Sequence, residues 1–154
     1  MANNELQTQL NKQVANLNVM YVKLHSYHWY VKGTHFFTLH EKFEEFYNEM
    51  TEKMDAVAER LLTIGGKPYA TLKDYLNNAS IKEAAGNETA DQMIKQLIQD
   101  FIQLVNEFGE GILAAENAGD HVTADLFISM AGDLEKHIWM LNAYVGEESQ
   151  VQTV

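Results

Sequence analysis

A single proline, Pro68, stands in 154 residues, and with only nine glycines the chain leaves long stretches free of helix breakers. Inside a helix a proline costs about 3 kcal/mol and a glycine about 1, so their scarcity favours an all-α class. Apolar spacing then places the helices. Leu6, Leu10, Val14, Leu17, Tyr21, Leu24 and His28 recur in steps of three and four and predict a first helix over 6–31, with Gly33 as its left-handed closing residue. Thr38 with Glu41 three residues later reads as a capping box, so a second helix begins near 38. It runs through Ile64 to the stop at Gly65-Gly66-Lys67-Pro68.

Residues 69–88, with Asn77, Asn78, Gly86 and Asn87, read as a long crossover holding at most a short helical turn over 71–76. Thr89 and Gln92 form a second possible capping box, followed by the stripe Ile94, Leu97, Ile98, Phe101, Leu104, Val105, Phe108, Ile112 and Ala115; this third helix ends near Gly119. A fourth carries Val122, Leu126, Phe127, Met130, Leu134, His137, Ile138, Leu141 and Val145 and stops at Gly146. Two helix pairs with short turns and one long crossover carrying a short helix describe a four-helix bundle of ferritin-like topology. We expect one domain over 1–154 with short loose tails at 1–5 and 147–154.

Twenty-two acidic against eleven basic residues give a net charge of −11, which attracts cations and repels phosphate backbones. There is no cysteine, so any metal must be held by His, Asp or Glu. The opening MANNELQTQLNKQ lacks a signal-peptide pattern, and no stretch reaches the ~20 apolar residues of a membrane span. A cytoplasmic protein without a membrane partner is expected.

The chemistry concentrates on the second helix. His40 and Glu44 are four residues apart, as are Asp55 and Glu59, so each pair stacks on adjacent turns. At about 100° per residue the four fall near 0°, 40°, 60° and 100°, one narrow stripe, which we expect to be core. His28 on the first helix adds a second imidazole. Taken singly, such residues are more often solvated charges or hydrogen-bonded core histidines. Together, two histidines and three carboxylates form the hard N/O donor set suited to Fe, Mn or Zn, with iron favoured in a ferritin-like bundle. His40 and Asp55, like Glu44 and Glu59, lie about 22 Å apart at ~1.5 Å per residue, too far for one metal centre. Two copies of the helix packed antiparallel about a two-fold axis near residue 50 would join the halves, with Phe46, Met50 and Met54 as interface packing.

The stretch LHSYHWYVKGTHFFTLHEKFEEFYNEMTEKMDAVAERLLTIGGKP, residues 24–68, resembles the signature of the Dps family of mini-ferritins. The matching residues are His28-Trp29, His40-Glu41, Glu44, Asp55 and Glu59-Arg60, and a weaker likeness continues to KHIWM at 136–140. The family more often has Asp where this chain has Glu44. The resemblance implies a hollow dodecamer built from two-fold dimers, cytoplasmic, that protects against oxidative stress. It would oxidise Fe(II) with hydrogen peroxide at inter-subunit ferroxidase sites and store ferric oxyhydroxide. It also implies that His28, His40 and Glu44 of one subunit meet Asp55 and Glu59 of its two-fold partner. Trp29, next to His28, becomes a candidate electron donor when only one iron is bound. Asp120 and Asp125 resemble the acids of family iron-entry pores, although Asp120 also suits an N-cap. His25 is read as a core or interface histidine rather than a support for the metal ligands, and His35, His121 and His137 receive no role.

Some family members compact DNA through lysine-rich tails. Here residues 1–13 hold only Lys12 and the last nine residues hold no base. A dodecamer would multiply the −11 of each chain twelvefold, which argues for iron detoxification over direct DNA binding.

Overall fold

The computed structural model describes residues 2–146, which form five helices and, among these residues, no strand. They are α1 (Ala2–Tyr30), α2 (Phe36–Thr63), α3 (Leu72–Asn78), α4 (Ala90–Asn117) and α5 (His121–Val145). The class is all-α, with the long helices in the predicted order and a short one in the crossover. None of the described helices is long and apolar enough to cross a membrane. The expected tail at 147–154 lies outside the described residues. Residues 2–5, expected to be loose, already belong to α1: Glu5 in its first turn complements the helix dipole, and the Thr8 hydroxyl bonds the Asn4 carbonyl at 2.8 Å.

The start of α2 also differs from the expectation. Gly33, at φ +120°, turns the chain so that its carbonyl accepts from the Phe36 amide (3.1 Å) and the His35 carbonyl from that of Leu39 (3.0 Å). The helix therefore begins at Phe36, with His35 in the N-cap position and making no side-chain cap bond. Thr38 lies inside the first turn and caps nothing. The box at α4 forms as its spacing requires: the Thr89 amide donates to Gln92 Oε1 (2.9 Å) and the Gln92 amide to Thr89 Oγ1 (3.2 Å). Asp120 caps α5 by accepting from the Thr123 amide at 3.0 Å, and Gly146 closes it at φ +80°.

The chain divides into two compact units: Leu10–Met93, and the first turns of α1 with α4 and α5. In the second unit Phe101, Leu104 and Phe108 of α4 and Phe127, Leu134 and Ile138 of α5 are fully buried, each worth about 1.5–3 kcal/mol against exposure. The two helices approach so closely that a Cβ on Gly111 would lie 2.6 Å from the Phe127 ring. In the first unit polar side chains along α1 hold the crossover. The Asn11 amide donates to the Lys67 carbonyl (2.9 Å) and its oxygen accepts from the Tyr69 amide (2.8 Å). Asn16 Oδ1 accepts from the Ser80 amide (2.7 Å), Lys23 Nζ donates to the Lys82 carbonyl (2.9 Å), and the Tyr27 hydroxyl donates to Glu88 (2.9 Å). These residues lead the connection along α1 and deliver it to the start of α4.

Candidate metal centre

The turn at Gly33 brings the end of α1 against the start of α2, and two imidazoles meet there. The rings of His28 and His40 stack with centroids 3.7 Å apart and planes 13° from parallel. His28 Nδ1 bonds the His40 carbonyl at 2.6 Å, and His40 Nδ1 bonds the His28 carbonyl at 2.7 Å. A carbonyl only accepts, so each Nδ1 carries the proton and each Nε2 keeps its lone pair for a metal ion in the neutral ring. The backbone thereby sets both tautomers, the arrangement that orients imidazole ligands at metal sites. Glu44, one turn along α2, brings Oε1 to 3.8 Å from His28 Nε2. Its side chain is 53% exposed while that of His28 is 8% exposed, so the group opens outward at the carboxylate.

Asp55 and Glu59 form the second group, exposed on the last turns of α2. A hydrogen bond with Asp55, reinforced by its charge, raises the Glu59 carboxyl above its ordinary value. Two like charges this close repel each other, and a cation between them would relieve that repulsion. The single chain does not unite the groups: among the described residues no three His, Asp or Glu side chains converge as a metal site.

The acidic stripe is not core, contrary to the sequence expectation. The buried residues of α2 are Leu39, Phe43, Phe46, Met50, Lys53, Val57 and Leu61. At about 100° per residue their stripe centres roughly 150° from the line of His40, Glu44, Asp55 and Glu59. The apolar side chains take the inward face, and the carboxylates keep their water. Phe46 and Met50 are accordingly buried within the chain and do not form the expected interface packing; Met54 is half-buried.

The sequence reading gave no role to Tyr47. Its ring meets the His28 ring edge-on at 5.4 Å and stacks on His25 at 4.3 Å and 17°. Burial, followed by the neighbouring Glu44 charge, raises the Tyr47 phenol above its ordinary value. Its position three residues after Glu44, on the same helix face, was the available signal. His25 bridges outward, 4.1 Å by ring centroids from Trp29, which is 63% exposed. Asp120 is occupied as the cap of α5, and Asp125 is exposed one turn further. His137 lies against Phe101 at 6.2 Å, and His121 opens α5.

A family model for the ferritin-like domain matches residues 7–151. General stress protein 20U of Bacillus subtilis is 56% identical over 137 residues, 89% of this chain and 94% of that protein. DNA protection during starvation protein 2 of Bacillus anthracis is 50% identical over 138 residues, 90% of this chain and 94% of its own length. The crystal structure of a Dps protein from Bacillus brevis superposes with a TM-score of 0.93 at 49% identity, covering 94% of this chain and 97% of that one. A Dps from Listeria innocua, studied after soaking with zinc, gives 0.91 at 47% identity, covering 94% and 98%. Similarity of this extent, in sequence and in fold, leaves one assignment: the chain belongs to the Dps family of ferritin-like proteins.

Proposed function

We propose that this protein is a ferroxidase that binds Fe(II) between two subunits, oxidises it with hydrogen peroxide and stores the ferric product inside a hollow dodecamer in the cytoplasm. The observation that carries the reading is the division of ligands on one chain. His28 and His40 meet at one end of α2 with Glu44 one turn away, and Asp55 and Glu59 stand exposed at the other. A two-fold axis passing between residues 49 and 50 brings His40 level with Glu59 and Glu44 level with Asp55 of an antiparallel α2 in the second copy. The same axis pairs Asn48 with Thr51 at the centre and Phe37 with Leu62 at the ends. Phe37 and Leu62 are 84% and 59% exposed in the single chain, apolar surface that such a contact would cover.

At the completed site three carboxylates offset the charge of two Fe(II) ions and two imidazoles fill out their shells. Each iron gives one electron to peroxide, and with two protons the products are two waters and two Fe(III). Withdrawing the electrons as a pair leaves no hydroxyl radical. When a single iron is present, Trp29 would supply the second electron. Asp120 and Asp125 would concentrate Fe(II) at the entry pores. The fold shared with the metal-soaked Listeria innocua Dps supports a metal-binding role.

The names of several relatives favour a second reading, protection of DNA. Removing iron and peroxide protects DNA indirectly. The charge of −11 favours this route over direct binding. The test is addition of Fe(II) and then peroxide to the purified protein, following ferric absorbance at one peroxide per two irons. Absence of oxidation above the protein-free rate overturns the ferroxidase reading, and a low-salt gel shift separates direct DNA binding from it.

A further inference from the structure

His28 and His40 are held unequally. The buried His28 ring stacks on His40 at 3.7 Å and is met edge-on by Tyr47 at 5.4 Å and by His25 at 6.1 Å. His40 lies nearer the surface, and its ring touches two others: His28, and Phe36 at 5.0 Å with planes 21° from parallel. Two near-parallel rings cannot share one face of an imidazole at these separations, so Phe36, His40 and His28 form a column with His40 in the middle. Phe36 is itself anchored. It is the first residue of α2, its amide donates to the Gly33 carbonyl at 3.1 Å, and its ring meets that of Phe37 edge-on at 5.4 Å. His40 follows one helical turn later, on the same face, which sets the two rings against each other.

We propose that Phe36 is a positioning residue of the metal centre, fixing the plane of the His40 imidazole by stacking on the face opposite His28. The inference rests on the metal-site reading above and adds to it the residue that steadies its more exposed histidine. The bond from His40 Nδ1 to the His28 carbonyl fixes one point of the ring but lets the plane tilt about that point. The torsion that turns an imidazole has broad minima, so a single hydrogen bond leaves this freedom in place. A flat neighbour removes it, and the Nε2 lone pair keeps one direction before the ion arrives. His28 needs no such support, because His40, Tyr47 and His25 already surround its ring. Phenylalanine also suits the place chemically, since it offers no donor or acceptor to compete for Nε2 or for the metal.

Co(II) added alone to the assembled particle tests this, because its visible absorption reports both affinity and coordination geometry. Phe36→Leu keeps apolar bulk and removes the flat face. We expect Co(II) affinity to fall about fivefold, the scale of one aromatic pair, and the band shape at saturation to change. Phe36→Tyr keeps the face and should bind as the parent does. In a His40→Ala background Phe36→Leu should have no further effect, whereas in a His28→Ala background its effect should persist, since the residue acts through His40. Phe36→Met, also without a flat face, supplies the same comparison if the leucine variant assembles poorly. Parental affinity and spectrum without the flat face, or an equal loss with and without His40, overturns the proposal. If Co(II) binding by the parent survives loss of both His28 and His40, the metal-site reading itself fails; if the histidines matter and Phe36 does not, only the positioning role falls.

Discussion

His28 and His40 each donate from Nδ1 to the other's backbone carbonyl, at 2.6 and 2.7 Å, so one pair of side chains both ties α1 to α2 and orients two candidate ligands. Replacing both with alanine removes two hydrogen bonds worth about 1 kcal/mol each, a loss that a domain of this size tolerates. The double variant should fold with a modestly lower melting temperature and lose peroxide-dependent Fe(II) oxidation. Parental initial rates in a folded double variant would remove these residues from the chemistry.

The shared site makes a sharper prediction. A variant lacking His28 and His40 and another lacking Asp55 and Glu59 should each be inactive alone. In a mixed dimer one site carries both lesions and the other is complete. Random pairing makes about half the dimers mixed, so coexpression should restore roughly a quarter of parental activity. Mass spectrometry establishes that mixed dimers are present; no recovery in such a sample would mean that the ligands come from one chain.

For the pore acids, Asn is the informative replacement. Asn caps helices as well as Asp does, so Asp120→Asn should keep α5 intact while removing the charge. With Asp125→Asn it should slow Fe(II) uptake at low iron concentration several-fold, without changing oxidation at saturating iron. Equal uptake by parent and variant at low iron would confine Asp120 to capping.

Glu88 predicts an acid-sensitive contribution to stability. Burial alone would raise its carboxyl, but the Ala85 amide, the Tyr27 hydroxyl and the Gly86 amide donate to it and hold it below its ordinary value. A lowered folded-state value means stability that is present above about pH 4.5, the range of an unfolded glutamate, and lost as pH falls through the folded value. Glu88→Gln should therefore destabilise by about 1–2 kcal/mol at pH 7 and by much less near pH 3. Urea unfolding at both pH values measures the difference, and a pH-independent gap would contradict it.

Much of the architecture was legible because it rests on local rules. The Thr89–Gln92 box, the Asp120 cap and the Gly146 stop act within a few residues, and the apolar stripes of α4 and α5 repeat with the helical period. The start of α2 was misread because Thr38 and Glu41 satisfy a capping pattern that the turn at Gly33 pre-empts. The stripe of His40, Glu44, Asp55 and Glu59 was visible, but its side of the helix was not. Leu39, Phe43, Phe46 and Met50 form a competing stripe, and only burial decides which faces inward. The pairing of His28 with His40 depends on the positions of two backbone carbonyls, which spacing does not encode.

The bonds from Asn11, Asn16, Lys23 and Tyr27 to the crossover have a consequence for proteolysis. A connection of this length is ordinarily where a protease cuts first. Here Lys82 is exposed on the crossover, yet its carbonyl holds the buried Lys23 ammonium, and the segment on either side of it is hydrogen-bonded to α1. A protease needs an extended stretch freed from its hydrogen bonds, so cleavage at Lys82 must wait until α1 releases the strap. The rate of that single cut then reports how often the Leu10–Met93 unit opens, a clock set by the interior of the protein and read at its surface.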